Sequence, residues 1–122
     1  MDEIPKKILI IEDEKPLSRA LELKLVHEGF FVKALFNGEG FLNIVNSENF
    51  SLIICDLIMP KVDGFEVLQM VKDNNINIPV IILTNLSQPE DEKRVRDLGA
   101  KHFLIKSDTP LMKIVETIKT LV

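Results

Sequence analysis

A chain of 122 residues, 46% hydrophobic and 28% charged, fits one soluble globular domain with a sizeable core. Its net charge of −4 argues against a general nucleic-acid or anionic-membrane binder. A single cysteine excludes an internal disulfide framework and points to a reducing cytoplasm, no apolar run reaches membrane-spanning length, and residues 1–7 lack a signal-peptide core.

In chain order, the first strand is expected over residues 7–11 and ends at Glu12-Asp13. Pro16 opens a helix whose Leu17, Ala20, Leu21 and Leu25 share one face and which Gly29 closes. A second strand, 31–35, runs into a turn at Asn37-Gly38, and residues 40–46 form the least patterned helix. The third strand, 52–55, ends at Asp56, an acid set between Leu52-Ile53-Ile54-Cys55 and Leu57-Ile58-Met59-Pro60, where an uncompensated charge is costly. Asp63 and Glu66 make a capping-box start for a helix bearing Phe65, Leu68 and Val71. The fourth strand, 80–83, ends at Thr84. Ser87 and Glu90 suggest a second capping box, with Pro89 at the first helical position and Gly99 just past the end. The fifth strand, 101–105, ends at Lys106, and Thr109-Pro110 begins a helix with the stripe Leu111, Ile114, Val115 and Ile118.

Five strand–helix units with nearly continuous Ile/Leu/Val strands predict an α/β fold: a doubly wound, five-stranded parallel sheet with five helices on its two faces. With the flavodoxin-like order 2-1-3-4-5, the functional crevice lies beyond the carboxyl ends of strands one and three. Four strands deliver a polar group to that rim: Glu12 with Asp13, then Asp56, Thr84 and Lys106. Two carboxylates about 4 Å apart repel by roughly 4 kcal/mol at an effective dielectric near 20, and three acids make three such pairs. Either protons or a cation must compensate them. An all-oxygen set favours a hard ion such as Mg²⁺, with Mn²⁺ as a substitute. Lys106 and Thr84 supply a charge and a hydroxyl suited to phosphoryl oxygens, so the constellation reads as a phosphoryl-transfer site with Asp56 as nucleophile.

Each member alone has an ordinary explanation. Glu12 and Asp13 could be helix-start acids, Asp56 a turn residue, Thr84 a strand residue and Lys106 a solvated charge. Their joint placement at the strand ends favours the site.

The segments ILIIEDE (8–14), LIICDLIMPKVDGFEVL (52–68), VIILTN (80–85) and GAKHFLIKS (99–107) resemble the receiver domain of two-component response regulators, and the likeness runs through 1–122. The resemblance implies that Asp56 accepts a phosphoryl group from a sensor histidine kinase, a phosphotransfer protein or a small donor. It implies Mg²⁺ on Asp13, Asp56 and the main-chain carbonyl of Ile58, with Glu12 acting mainly through coordinated water. Lys106 would pair with Asp56 and then with phosphoryl oxygens. Thr84 would swing toward the phosphoryl group and let Phe103 turn inward, remodelling the helix 4–strand 5–helix 5 face. That face would meet an effector protein or a fused output domain, neither of which is present in this chain, or a second copy as a homodimer. The expected product is a conformational state, so the protein is expected to be a cytoplasmic switch rather than a turnover enzyme, with no direct nucleic-acid or membrane contact.

Three positions depart from the family pattern. Ser107 replaces the usual Pro after the Lys, predicting either a cis Lys106–Ser107 bond or a trans bond in a rearranged loop. Asn85 replaces a small residue after Thr84 and is expected to narrow access to Asp56. Phe103 replaces a frequent Tyr and lacks its hydroxyl. The charged fourth helix reads as a solvated face with pairs such as Glu90–Arg94 and Glu92–Arg96, or as a polar partner surface. His27 and His102 lack ligand-spaced neighbours, and Cys55 reads as a small buried hydrophobe. Two other functions compete. A receiver-like interaction module without phosphorylation conflicts with the intact acidic, Thr and Lys set. A phosphatase of related fold would want a second Asp two residues after the nucleophile, where Ile58 stands. No phosphate-binding glycine motif is present.

Overall fold

The computed structural model describes residues 5–122; the first four positions of the 1–7 stretch lie outside them. Five parallel strands, β1 (Lys7–Ile11), β2 (Phe31–Leu35), β3 (Leu52–Cys55), β4 (Val80–Thr84) and β5 (His102–Ile105), form one sheet in the order β2-β1-β3-β4-β5. The helices are α1 (Lys15–His27), α2 (Phe41–Ser47), α3 (Gly64–Asp73), α4 (Pro89–Asp97) and α5 (Leu111–Leu121). The chain adopts the expected flavodoxin-like arrangement. β3 and β4 are buried at every position, as strands covered on both faces must be, whereas the edge strand β2 alternates between exposed and half-buried residues.

Because strand side chains alternate, the sheet divides the core into two layers. Leu9, Ile11, Ile53, Cys55 and Ile82 point to one side, where Phe41, Leu68 and Val95 bring α2, α3 and α4 against them. Ile8, Ile10, Leu52, Ile54 and Ile81 point to the other, against Leu21 and Leu25 of α1 and Ile114, Val115 and Ile118 of α5. In α1 the buried face is Ser18, Leu21 and Leu25, and Ala20 is exposed.

Helix starts show where local chemistry and register disagree. At α3 both capping-box bonds form: Glu66 N–H donates to Asp63 Oδ1 at 2.9 Å and Asp63 N–H to Glu66 Oε2 at 3.0 Å. At α4 the expected Ser87–Glu90 box does not form. Pro89 occupies the first helical position, so Gln88 is the N-cap and Glu90 falls one residue short of the box position. The α5 cap is Pro110, and the Thr109 hydroxyl instead donates back to the Ile105 carbonyl at 2.7 Å.

One glycine fixes the loop after β3. Gly64 opens α3 against the end of β3, and a Cβ there would lie 2.2 Å from the Asp56 carbonyl oxygen and 2.7 Å from Leu57 Cα. Both atoms are backbone and cannot rotate away. We predict that Gly64→Ala lowers stability by about 3 kcal/mol, the upper end of overpacking costs, as measured by urea unfolding.

Candidate functional site

Register assembles the site. Ile11 pairs with Cys55 across β1 and β3, so Glu12 and Asp56, the next residues, emerge side by side. Their backbones stay pinned: Asp56 N–H donates to Ile11 O at 3.0 Å and Glu12 N–H to Leu35 O at 2.9 Å. At the other flank Thr84 pairs with Ile105, which places Lys106 directly beyond it.

The predicted residues converge. One carboxylate oxygen each from Glu12, Asp13 and Asp56 lie within 4.8 Å of one another, and this is the one metal-competent cluster of His, Cys, Asp and Glu among the described residues. Asp56 is 4% exposed; its Oδ1 accepts from Leu57 N–H at 2.7 Å and its Oδ2 from Lys106 Nζ at 2.9 Å. Lys106 also contacts Glu12 at 2.9 Å. A cleft of about 370 Å³ is lined by Asp13, Asp56, Ile58, Thr84, Asn85 and Lys106, among others. A larger hollow of about 640 Å³ sits at the opposite end of the sheet, beside Ile78, Pro79 and Lys101, and none of the cluster lines it.

Three features were not foreseen. Glu14, present in the ILIIEDE run, is the N-cap residue of α1 and also takes a hydrogen bond from Lys106, while its own N–H donates to Glu12 Oε2 at 2.9 Å. Three acids in a row before a helix start were the available signal. Arg94 does not pair with Glu90; its guanidinium lies 4.0 Å from the centre of the Phe65 ring, an attractive arrangement on an aromatic face. Glu92–Arg96 does form, at 3.0 Å, joined by Lys93–Asp97 at 2.8 Å. Finally, the two departures meet: Ser107 N–H donates to Asn85 Oδ1 at 3.1 Å. The Lys106–Ser107 bond is trans, and residues Lys106–Asp108 form a single 3₁₀ turn.

Phe103 is half-buried against the α2–α4 layer. Thr84 is buried, and its hydroxyl oxygen accepts from Leu86 N–H at 3.3 Å. Ile58 is 57% exposed. Cys55 is buried, and its environment, desolvation first and then nearby acids, pushes the thiol pKa up.

The electrostatics are those of crowded acids around one ammonium. Burial raises the Glu12 pKa to about 7, against opposing hydrogen bonds from Glu14 N–H and Lys106 and with help from the charge of Asp56. Burial alone would lower the pKa of Lys106, yet hydrogen bonds to Asp56, Glu14 and Glu12 leave it raised. An all-oxygen cluster with more negative than positive groups fits a hard divalent cation.

Comparison with known proteins agrees with this geometry. The family model of the response regulator receiver domain matches residues 8–119. The chain belongs to that family. The response regulator ArlR of Staphylococcus haemolyticus is 37% identical over 99 residues, covering 81% of this chain and 45% of that protein. A probable transcriptional regulator, ycf27, of Guillardia theta is 34% identical over 108 residues, 88% of this chain and 42% of that one. The chain thus spans less than half the length of these curated relatives. The receiver domain of a Francisella response regulator superposes with a TM-score of 0.89 at 28% identity, covering 95% of each chain. The response regulator TrrA from Thermotoga maritima, solved in complex with Mg(2+)-BeF, gives 0.83 at 28% identity, covering 96% of this chain and 99% of that one.

The Glu12 shift carries a sign. Folded Glu12 keeps its proton up to about pH 7, whereas unfolded Glu sheds it near 4.5, so folding stability falls as pH rises across that interval. In chelator, wild type should lose on the order of 3 kcal/mol relative to Glu12→Gln between about pH 4.5 and 7, read from paired urea melts.

Proposed function

We propose that this receiver domain works as a phosphorylation-driven switch in which Asp56 accepts the phosphoryl group from a sensor histidine kinase or a phosphotransfer protein. The observation that carries the reading is the convergence of Asp56, Lys106 and the acidic cluster at the sheet's switch point. An Asp56 oxygen attacks phosphorus, the P–N bond to the donor imidazole breaks, and the imidazole nitrogen regains a proton. Lys106 already touches Asp56 Oδ2 and is placed to follow the negative charge onto the phosphoryl oxygens. The Thr84 hydroxyl oxygen accepts from Leu86 N–H, which leaves its own O–H free to donate to a phosphoryl oxygen.

Glu12, Asp13, Asp56 and the Ile58 carbonyl would hold Mg²⁺, Glu12 through water. The ion, when bound, offsets the surplus carboxylate charge and polarises phosphoryl oxygens. Support comes from the donor set and from the Mg(2+)-BeF complex of the Thermotoga relative.

The proposed readout is the face formed by α4, β5 and α5, which Thr84 and Phe103 border through β4 and β5. A partner effector, an output domain fused elsewhere or a second copy would meet it there. The proposal makes the product a state rather than a released compound, in a cytoplasmic setting. Among the described residues no helix is long and apolar enough to cross a membrane.

Intact-mass measurement after a small phosphodonor with Mg²⁺ should show one phosphoryl adduct on wild type and none on Asp56→Asn. An equal adduct on both would reject the assignment. Added Mg²⁺ should also raise the wild-type melting temperature by a few degrees, and by clearly less in Asp13→Asn; an unmoved wild type removes the metal site.

A further inference from the structure

We infer that Asn85 is a phosphoryl-binding residue, its side-chain amide N–H₂ held toward the cleft by the main chain of Ser107 so that it donates to a phosphoryl oxygen on Asp56. The inference rests on the phosphoacceptor reading above and assigns a role to a residue outside its acidic, Thr and Lys set.

The orientation follows from donor chemistry. A backbone N–H can only donate, so its partner on Asn85 at 3.1 Å is the carboxamide oxygen, not the nitrogen. With the oxygen turned to Ser107, the two amide protons form the opposite end of a planar group. Asn85 itself lines the cleft together with Asp56, Thr84 and Lys106. A proline at 107 would have no N–H and could not set this orientation. The two unusual residues therefore form one device: Ser107 supplies the anchor and Asn85 the donor.

Position reinforces the argument. Asn85 follows Thr84 at the end of β4, and Ser107 follows Lys106 at the end of β5. The bond thus ties together the two loops whose preceding residues carry the hydroxyl and the ammonium. A phosphoryl group would bring three oxygens to those two donor groups, and a third fixed protein donor would add to their capture. Asn85 is exposed, so its bond forms at a wet rim and its contribution belongs at the low end for hydrogen bonds to charged groups.

Two substitutions separate anchor from donor. Asn85→Ala removes both. Asn85→Asp keeps an oxygen for Ser107 N–H but replaces the donor with a negative charge facing the phosphoryl oxygens. The full chain is titrated with beryllofluoride and Mg²⁺, following the amide spectrum, and each variant's melting temperature is measured without ligand. The analogue should bind wild type most tightly, Asn85→Ala about tenfold more weakly, and Asn85→Asp more weakly still, with ligand-free melting temperatures alike. If wild type binds the analogue and both variants match it within twofold, the inference is wrong while the phosphoacceptor reading stands. If Asn85→Asp binds as well as wild type and only Asn85→Ala is weakened, the residue acts through the anchor alone and the donor role is overturned. If wild type takes up no analogue, the phosphoacceptor reading itself fails.

Discussion

The site depends on one ammonium among several carboxylates. Lys106 is held by Asp56, Glu12 and Glu14, reached from the ends of β1 and β3 and the start of α1, while its own backbone leaves β5. No other described interaction joins strands so far apart in sequence: Lys106 and Glu12 are 94 residues apart. Desolvation would be prohibitive for these charges singly, and together they offset one another only in part. The partial compensation is what suits the rim to chemistry. Acids that were fully neutralised would have no use for a cation.

That arrangement is a consequence of strand register rather than of loop folding. Ile11 opposite Cys55 brings Glu12 level with Asp56, and Thr84 opposite Ile105 sets Lys106 one residue beyond Thr84, so four candidate side chains share one rim of the sheet. Gly64 closes the loop behind Asp56 where any side chain would strike backbone. The apolar strands therefore act as a ruler, and the polar residues that follow them inherit their positions.

This explains which parts were legible in the sequence. Strands filled with Ile, Leu and Val, followed at once by Glu12, Asp56, Thr84 or Lys106, announce both the sheet and its rim. The α3 capping box was equally plain because its residues have no competing cue. At α4 two cues conflict: Ser87 asks for a box, Pro89 fixes the first helical position, and the proline's rigid φ prevails. Side-chain partners across the fold were beyond reach. Arg94 has Glu90 one turn away and Phe65 from another helix, and only tertiary packing brings the ring beneath it. The Asn85–Ser107 bond likewise spans 22 residues, and each residue by itself looked like a departure.

The two-layer core distributes its grip unevenly. The sides of α3 and α5 each bury four residues, whereas in α4 Val95 alone is buried. One valine removed from water is worth about 1.5–3 kcal/mol, which is also the scale on which a bound group shifts a conformational equilibrium. Burial therefore anchors α4 less firmly than α3 or α5, and the Arg94–Phe65 stack adds a contact from α4 to α3. Among the five helices, the fewest buried residues lie in the one that follows Thr84 and Asn85.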